Sequence, residues 1–374
     1  MRELPDVAPE LRRFLREVQS AQGPRVTLDG RDVLLLCSND YLGLAGDPRV
    51  AEAAGEAARR WGAGAGSSQL VSGHMSIHRE LEERLADLKG TEACLLFGSG
   101  YLANTGVVAA LATDGVVASD ALNHASIIDG CRLARARTVV YEHGAVPEGA
   151  DVIVTDAVFS MDGDVADLEG LVETGARVIV DEAHATGVVG REGRGLVHEL
   201  GLQDHVITIG TLGKALGSYG AFVCCSREVA DYLVNRARTL IYSTALPPPS
   251  IGAALRALDL MDAELMARLH ANARELRAAL GVEVSDMPIV PLVIGEPDDA
   301  MAACADALEE GVFVQAIRPP TVPDGTSRLR AVATAAHDVV ELRHAGATLH
   351  EKAMSYRLSG REVVPTGGVR QHGR

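Results

Sequence analysis

Short apolar runs alternate with helix-like segments over residues 90–225, and this alternation constrains the fold more than any other feature. The runs lie at 93–97, 116–118, 152–154, 178–180, 206–209 and 221–224. None of them alternates polar with apolar residues, as a strand with one face in water would. Continuous apolar strands separated by helices are typical of parallel sheets that are covered on both faces. We therefore predict an α/β fold with a mostly parallel central sheet and helices on both faces.

The flanking segments predict the domain organisation. Ile77, Leu81, Leu85 and Leu88 share one helix face, and Ser76 and Gly90 are the predicted N-cap and C-cap. After the prolines at 247–249 the pattern changes to helix-like 250–280, strand-like 289–294, helix-like 298–310, strand-like 312–317 and helix-like 336–356. We predict an N-terminal segment (1–45), a large α/β domain (46–250), a small α+β domain (251–358) and a disordered tail (359–374).

Composition excludes several classes of function. Lys and Arg number 35 against 51 Asp and Glu, and a net charge of −16 opposes binding to nucleic acid or to an anionic membrane. The N-terminus has no apolar signal segment, and no run of about 18 apolar residues occurs. The six cysteines form no C-x-x-C pair, which is typical of reduced thiols. We expect a cytoplasmic protein with no bound metal.

Asp181 and His184 follow the apolar run 178–180. In open α/β sheets, ligands bind beyond the carboxyl ends of the strands, so a carboxylate there is placed to meet a ligand cation. A helix-capping Asp followed by a solvent-facing His is the structural alternative.

Lys214 lies in the small-residue loop 210–217, after the run 206–209. Partial desolvation would lower the pKa of its ammonium and make the neutral amine a nucleophile that forms a Schiff base. Thr211 supplies a hydroxyl suited to a phosphate oxygen. The alternative for Lys214 is a structural or surface charge.

A glycine-rich turn at 97–104 joins a predicted strand to a predicted helix. Glycines allow close backbone approach, and a helix N-terminus offers free N–H groups to a phosphate. Gly98, Gly100, Ala103 and Asp120 also resemble a degenerate dinucleotide fingerprint, so a nicotinamide-dependent oxidoreductase remains an alternative.

His124, in the loop after the run 116–118, either stacks on a planar cofactor or caps a helix. An anion-binding turn, a stacking ring, a strand-end carboxylate and a later lysine are together what pyridoxal 5'-phosphate (PLP) requires. The sequence therefore predicts a PLP enzyme.

The chain resembles the α-oxoamine synthases, a branch of the PLP enzymes with the aspartate-aminotransferase fold (fold type I), from Leu11 to about His337. The motifs shared with the branch are Asn39–Gly43, Phe159–Asp164, Asp181–Gly187 and Thr211–Lys214. Narrower strings are Leu240–Thr244 with Leu246–Pro248, and Ala316–Arg330. Two departures, Asp156 for a common Glu and Ala215-Leu216 for a common Gly-Phe, affect fine substrate positioning rather than the chemistry.

The resemblance implies a role for each matching residue. Lys214 would bind the cofactor covalently and act as the base, with Asp181 on the pyridinium nitrogen and His124 stacked on the ring. The remaining cofactor contacts would be His184 on the ring 3′-oxygen, Ser160 beside the ring, Gly100, Tyr101 and Thr211 on the phosphate, and Thr244 on the phosphate of a neighbouring subunit. Substrate contacts would be Arg12 (or Arg13), Asn39, His124, Arg318 and Thr321.

The narrower strings favour one activity within the branch, the decarboxylative condensation of L-alanine with pimeloyl-CoA or a pimeloyl-carrier protein in biotin biosynthesis. The resemblance also implies a homodimer with shared active sites. A branch member that joins glycine to acetyl-CoA is one alternative. A non-catalytic subunit on the same scaffold is another, but such a subunit has no need of Lys214.

Overall fold

The computed structural model describes residues 12–359. The strands are β1 (Arg25–Leu28), β2 (Arg31–Leu35), β3 (Ala93–Phe97), β4 (Val116–Asp120), β5 (Arg137–Tyr141), β6 (Val152–Asp156), β7 (Arg177–Asp181), β8 (Val206–Thr211), β9 (Ala221–Cys225), β10 (Ile289–Gly295), β11 (Val312–Phe313), β12 (Gln315–Ile317) and β13 (Ser327–Val332). The helices are α1 (Pro48–Trp61), α2 (Ser76–Lys89), α3 (Gly100–Leu111), α4 (Ala125–Ala134), α5 (Leu168–Glu173), α6 (Leu196–Glu199), α7 (Arg227–Arg236), α8 (Arg238–Ile241), α9 (Pro248–Leu260), α10 (Ala263–Ala279), α11 (Pro297–Glu309) and α12 (Val339–Ser359). Residues 360–374 of the predicted tail lie outside the described part.

Within the described residues the central sheet has seven strands in the order β3-β9-β8-β7-β6-β4-β5. Its strands are parallel except β9, which runs antiparallel to β3 and to β8. All six predicted runs are strands of this sheet. The edge strand β5 was not predicted; four of its five residues are exposed, and its apolar run is only the three residues 139–141.

Both faces of the sheet are buried, as the unbroken apolar runs predict. Val178 and Val180 of β7 belong to one apolar cluster with residues of α2 and α9. Ile179, between them, belongs to a second cluster with residues of α3, α4 and α7. Because successive side chains of a strand point to opposite faces, β7 is covered on both sides.

The smaller part of the fold contains an antiparallel sheet with the order β10-β13-β12. The N-terminal strands β1 and β2 form another sheet with β11, which pairs in parallel with β2. The predicted strand 312–317 is therefore wrong as one element, because β11 and β12 belong to different sheets. The predicted helix 250–280 is also wrong as one element, because α9 ends at Leu260 and α10 begins at Ala263. The domain boundaries stay a prediction.

The two predicted caps of helix α2 can be compared with the structure. Gly90 adopts a left-handed conformation (φ +69°) at the C-cap, as predicted. The N-cap, however, is Met75 rather than Ser76, and the Met75 amide donates to Nδ1 of His78 at 3.2 Å. The side chain of His78, the third residue of α2, thus bonds the start of the helix where a serine cap was predicted. Among the described residues, no helix has the length and apolar character needed to cross a membrane.

Candidate active site

Two aspartates end neighbouring parallel strands at one edge of the central sheet. Asp181 ends β7, Asp156 ends β6, and the two residues are paired in register. Asp181 is buried, and its carboxylate accepts from Nδ2 of Asn104 at 2.6 Å and from the Ala183 amide at 2.8 Å. These donors orient the carboxylate at the carboxyl end of the sheet, as predicted from the strand pattern.

Asp156 lies in an environment that disfavours its ionised form. Burial raises the pKa of Asp156 well above its ordinary value, and the charge of Asp181 raises it further. Two adjacent buried carboxyls do not both ionise readily, so this environment favours the protonated form of Asp156. Oδ2 of Asp156 accepts the His124 amide at 2.8 Å, which ties the loop that carries His124 to the sheet edge.

His184 is buried and neutral. Burial lowers its pKa well below the ordinary value, and the positive charges of Lys214 and Arg330 act in the same direction. The Tyr41 hydroxyl lies 2.6 Å from Nδ1 of His184. Burial raises the pKa of Tyr41, so this hydroxyl keeps its proton. The two groups share a hydrogen bond whose direction depends on the tautomer of His184, and the tautomer in which Nδ1 accepts from Tyr41 leaves Nε2–H as a donor to a ligand.

The chain has only three lysines, and two of them are engaged away from this edge. Lys89 is buried, with Nζ 2.6 Å from Oε2 of Glu182 and 2.8 Å from the Thr186 hydroxyl. Lys352 forms an ion pair with Glu310. Neither amine is placed to react with a ligand at the carboxyl edge of the sheet.

Lys214, the third lysine, lies within electrostatic reach of the aspartates. Burial lowers the pKa of its ammonium, whereas the charges of Asp181 and Asp156 raise it and that of Arg330 lowers it. The lowering outweighs the carboxylates, which increases the fraction of neutral, nucleophilic amine. The predicted pairing of Lys214 and Asp181 in one site agrees with this coupling.

His124 lies in the same charge environment and caps α4. Its Nδ1 is 2.7 Å from the Ser126 hydroxyl and 3.3 Å from the Ser126 amide, which fixes the ring at the helix start. Burial lowers the pKa of His124, and the charge of Asp181 opposes this while that of Lys214 adds to it. The ring is thus a helix cap that lies near Asp181 and Lys214, and its stacking on a planar cofactor stays a prediction.

The glycine-rich turn leads into α3, whose N-cap Ser99 accepts the Leu102 amide at 3.2 Å. The first amides of a helix have no partners within it, so those of Gly100 and Tyr101 are suited to an anion. A Cβ added to Gly100 would meet no atom within 4 Å, so the space in front of this turn is open. The Tyr101 side chain bonds Asp129 instead, which leaves only its backbone for the predicted contact.

Two threonines predicted at the phosphate have other partners in the isolated chain. The Thr211 hydroxyl donates to the Gly220 carbonyl at 3.1 Å, so a phosphate contact requires it to exchange this acceptor. Thr244 is exposed and forms an isolated bridge with Ser68. Its contact with a second subunit stays a prediction.

Arg330 connects two further predicted residues to the site. It is buried on β13, where Nε donates to the Ser160 carbonyl and a terminal nitrogen lies 3.2 Å from Oδ1 of Asn39. Tyr41 is the second neighbour of Asn39, at 3.4 Å. Asn39 and Ser160 are thus held together beside His184.

The remaining predicted substrate residues lie together in a cavity of about 640 Å³. Arg12, Arg13, Arg318 and Thr321 line it, together with the apolar Phe14, Leu15 and Met301. Arg318 also donates to the Arg12 carbonyl at 2.8 Å. A cationic rim beside apolar walls suits a chain that ends in an anion.

Three structural residues of this site were quoted within motifs but given no role. Asn104 and Tyr41 position Asp181 and His184, and Arg330 holds Ser160 and Asn39. Asn104 carried a usable signal, since it is a polar residue on the otherwise apolar helix α3 and is buried. The roles of Tyr41 and Arg330 depend on contacts between distant segments, which a single sequence does not show.

The donor set fits PLP. An open helix N-terminus suits its phosphate, a charged buried Asp181 suits a protonated ring nitrogen, and a lysine with a lowered pKa suits its aldehyde.

Comparison with known proteins decides the family. A family model described as "Aminotransferase class I and II" matches residues 31–349. The 8-amino-7-oxononanoate synthase of Anaeromyxobacter dehalogenans is 52% identical over 358 residues, covering 90% of each chain. The chain belongs to the 8-amino-7-oxononanoate synthase family.

Solved structures agree with this assignment. A serine palmitoyltransferase variant from S. paucimobilis with a bound PLP–myriocin aldimine matches with a TM-score of 0.87 at 30% identity, covering 92% of this chain and 94% of that one. The 8-amino-7-oxononanoate synthase of Francisella tularensis matches with a TM-score of 0.75 at 27% identity, covering 86% and 98%. The predicted fold, cofactor and enzyme class are confirmed: this is a PLP-dependent transferase of biotin biosynthesis. Membership of this PLP-dependent family argues against the alternative of a nicotinamide-dependent oxidoreductase.

Proposed function

We propose that this enzyme condenses L-alanine with a pimeloyl thioester, releasing 8-amino-7-oxononanoate, carbon dioxide and the free thiol. The observation that carries the proposal is the 52% identity with an 8-amino-7-oxononanoate synthase over 90% of both chains. The convergence of Lys214, Asp181, His124 and His184 at one sheet edge supports it.

PLP supplies an aldehyde that combines with amines and a ring that withdraws electrons from the amino-acid Cα. Lys214 would hold the aldehyde carbon, and Asp181 would keep the ring nitrogen protonated. Nε2 of His184 would donate to the ring 3′-oxygen, and Ser160 would lie beside the ring. The amides of Gly100 and Tyr101, with the Thr211 hydroxyl, would hold the phosphate.

Lys214 would also act as the general base. Its neutral amine would remove the α-proton of alanine. The lowered pKa of Lys214 favours the neutral form that this step needs. The same ammonium later returns a proton to Cα.

The overall reaction balances without an external oxidant or reductant. The alanine Cα forms a bond to the thioester carbonyl carbon, and the C–S bond breaks with departure of the thiol. The alanine carboxylate then leaves as carbon dioxide, and a proton takes its place on Cα. His124, beside Lys214, is placed to donate a hydrogen bond to the new ketone or to the carboxylate.

The cavity lined by Arg12, Arg318 and Thr321 supports substrate recognition in the small part of the fold. Arg318 would bind the alanine carboxylate, with Thr321 and Asn39 in the substrate site. Arg12 would contact the acyl substrate, whose free carboxylate suits a guanidinium. The acyl carrier is coenzyme A or a carrier protein.

We also propose a homodimer in which Thr244 of each subunit reaches the phosphate in the other subunit's site. Thr244 and the neighbouring Tyr242 are exposed in the single chain, which supports a contact there. The proposed location is the cytoplasm. All six cysteines lie in the described part of the chain and are free thiols, which supports a reducing compartment.

The test is a substrate matrix with the purified holoenzyme. L-Alanine, glycine and L-serine are each combined with pimeloyl-CoA, a pimeloyl-carrier protein and acetyl-CoA, and products are identified by mass spectrometry. We expect 8-amino-7-oxononanoate from alanine with a pimeloyl donor as the fastest reaction. Faster turnover of glycine with acetyl-CoA would assign the enzyme to the other branch activity instead.

A further inference from the structure

Two loops flank the proposed cofactor ring. The loop that ends at His124 is anchored by Asp120, whose side chain accepts the Leu122 amide at 2.8 Å. The loop that carries Ser160 is closed between Phe159 and Asp164, with the Phe159 amide 3.0 Å from the Asp164 carbonyl. The loops follow the neighbouring strands β4 and β6, and the His124 amide already bonds Asp156 at the end of β6.

His143, in the segment after β5, joins the two loops. Its Nδ1 lies 3.1 Å from both carboxylate oxygens of Asp120, and its Nε2 lies 2.7 Å from Oδ2 of Asp164. The ring also packs edge-on against Phe159, with centroids 4.4 Å apart at 84°. Only the imidazolium form donates from both nitrogens, so this geometry is that of a protonated histidine between two carboxylates.

We propose that His143 is a positioning residue that braces the loops of His124 and Ser160 through Asp120 and Asp164. The proposal rests on the proposed function, since it assigns those loops to the cofactor. Through these carboxylates His143 would set the distance between the His124 loop and the Ser160 loop. It would act as a positioning residue and not on the reacting atoms themselves.

The brace depends on pH. Burial alone lowers the pKa of His143, but the charges of Asp120 and Asp164 and the bonds they accept raise it above 6.5 overall. These two carboxylates are the charged groups that face the ring, one from the end of β4 and one from the Ser160 loop. A histidine pKa that is raised in the fold gives a contribution that is complete below 6.5 and is lost as pH rises through the folded value.

The experiment measures PLP binding rather than turnover alone. Apoenzyme is titrated with PLP from pH 5.5 to 9, and the dissociation constant of His143→Gln is divided by that of the wild type. His74→Gln is the matched control, because His74 also pairs with a carboxylate, Glu82, at 2.9 Å and also has a raised pKa. Dividing by the wild type removes the titration of PLP itself and of Lys214.

We expect the His143→Gln ratio to be roughly three- to tenfold at the acidic end, the size expected when partly exposed charge-assisted bonds are lost, and to approach one at the alkaline end. The His74→Gln ratio should stay near one throughout. A His143→Gln ratio that is one, or that does not change with pH, overturns the proposal.

If His143→Gln does not fold, Asp164→Asn serves in its place. Its PLP dissociation constant, divided by that of the wild type, should fall towards one from the acidic to the alkaline end, with a smaller value at the acidic end than for His143→Gln. A ratio that does not change with pH overturns the proposal. Wild-type turnover of alanine and pimeloyl-CoA is measured in parallel, so failure of the proposed function is recorded separately from failure of the brace.

Discussion

Replacing Tyr41 with phenylalanine tests how His184 is held in its working tautomer. Tyr41 is fully buried, and its hydroxyl lies 2.6 Å from Nδ1 of the buried His184. The substitution removes one oxygen and leaves the ring in place, so the packing change is small. Nδ1 loses its buried hydrogen-bond partner, and with it the contact that holds the ring of His184 in one tautomer.

The expected cost follows from the burial of both partners. A buried acceptor left without its donor costs about 1–3 kcal/mol. If that cost falls on cofactor positioning, kcat/KM decreases by roughly 5- to 150-fold, since 1.4 kcal/mol corresponds to a factor of ten. If part of it falls on folding, urea unfolding of the apoenzyme shows the remainder as a lower free energy of unfolding.

A double-mutant cycle separates the two outcomes. Tyr41→Phe, His184→Gln and the double variant are compared in kcat/KM with alanine and pimeloyl-CoA. Because Tyr41 acts through His184, the double variant should lose no more activity than His184→Gln alone. Tyr356→Phe, whose hydroxyl bonds Asp306 at 2.8 Å in the small part of the fold, is the control and should behave as wild type. Additive losses in the cycle, or an unchanged Tyr41→Phe enzyme, would refute the reasoning.

Three further predictions concern buried charges. Lys89→Met removes the partner of the fully buried Glu182 and should lower the free energy of unfolding by about 3–5 kcal/mol, whereas Lys352→Met, at a solvent-exposed pair, should lower it much less. Equal losses in urea unfolding would contradict this difference. Burial raises the pKa of Asp40 from 3.8 to about 6. The stabilisation that its protonated form gives is therefore complete below pH 3.8 and is lost as the pH rises through about 6. Asp40→Asn should therefore stabilise the apoenzyme at pH 7 by at most about 3 kcal/mol, and a destabilised variant with the same pH profile as wild type would argue against it. Asp181→Asn should still bind PLP but lose at least about a hundredfold in kcat, and near-normal turnover would remove the role of this carboxylate.

The sheet was predictable because its strands are buried on both faces. Runs such as 178–180 are apolar throughout, and β7 is indeed covered by helices on both sides. Strand β5 lies at the edge of the sheet with most residues exposed, and its apolar run 139–141 follows the polar Arg137 and Thr138, so it was not singled out. The break between α9 and α10 was missed because Met261 and Asp262 do not interrupt the apolar pattern around them.

The site was predictable to the extent that its residues follow strands directly. Asp181 and Lys214 lie at or just beyond strand ends, so topology alone brings them to one edge. Asn104, Tyr41 and His143 act through hydrogen bonds to segments far away in sequence, and a local pattern holds no record of such partners. The supporting residues are therefore the part that required a structure.

The covalent attachment point of PLP is the sharpest test of the proposal that Lys214 binds the cofactor. Holoenzyme is reduced with borohydride, digested and analysed by mass spectrometry for the phosphopyridoxyl group. The chain has three lysines, and we predict the label on the peptide that contains Lys214. Label on Lys89 or Lys352 in place of Lys214 would contradict it.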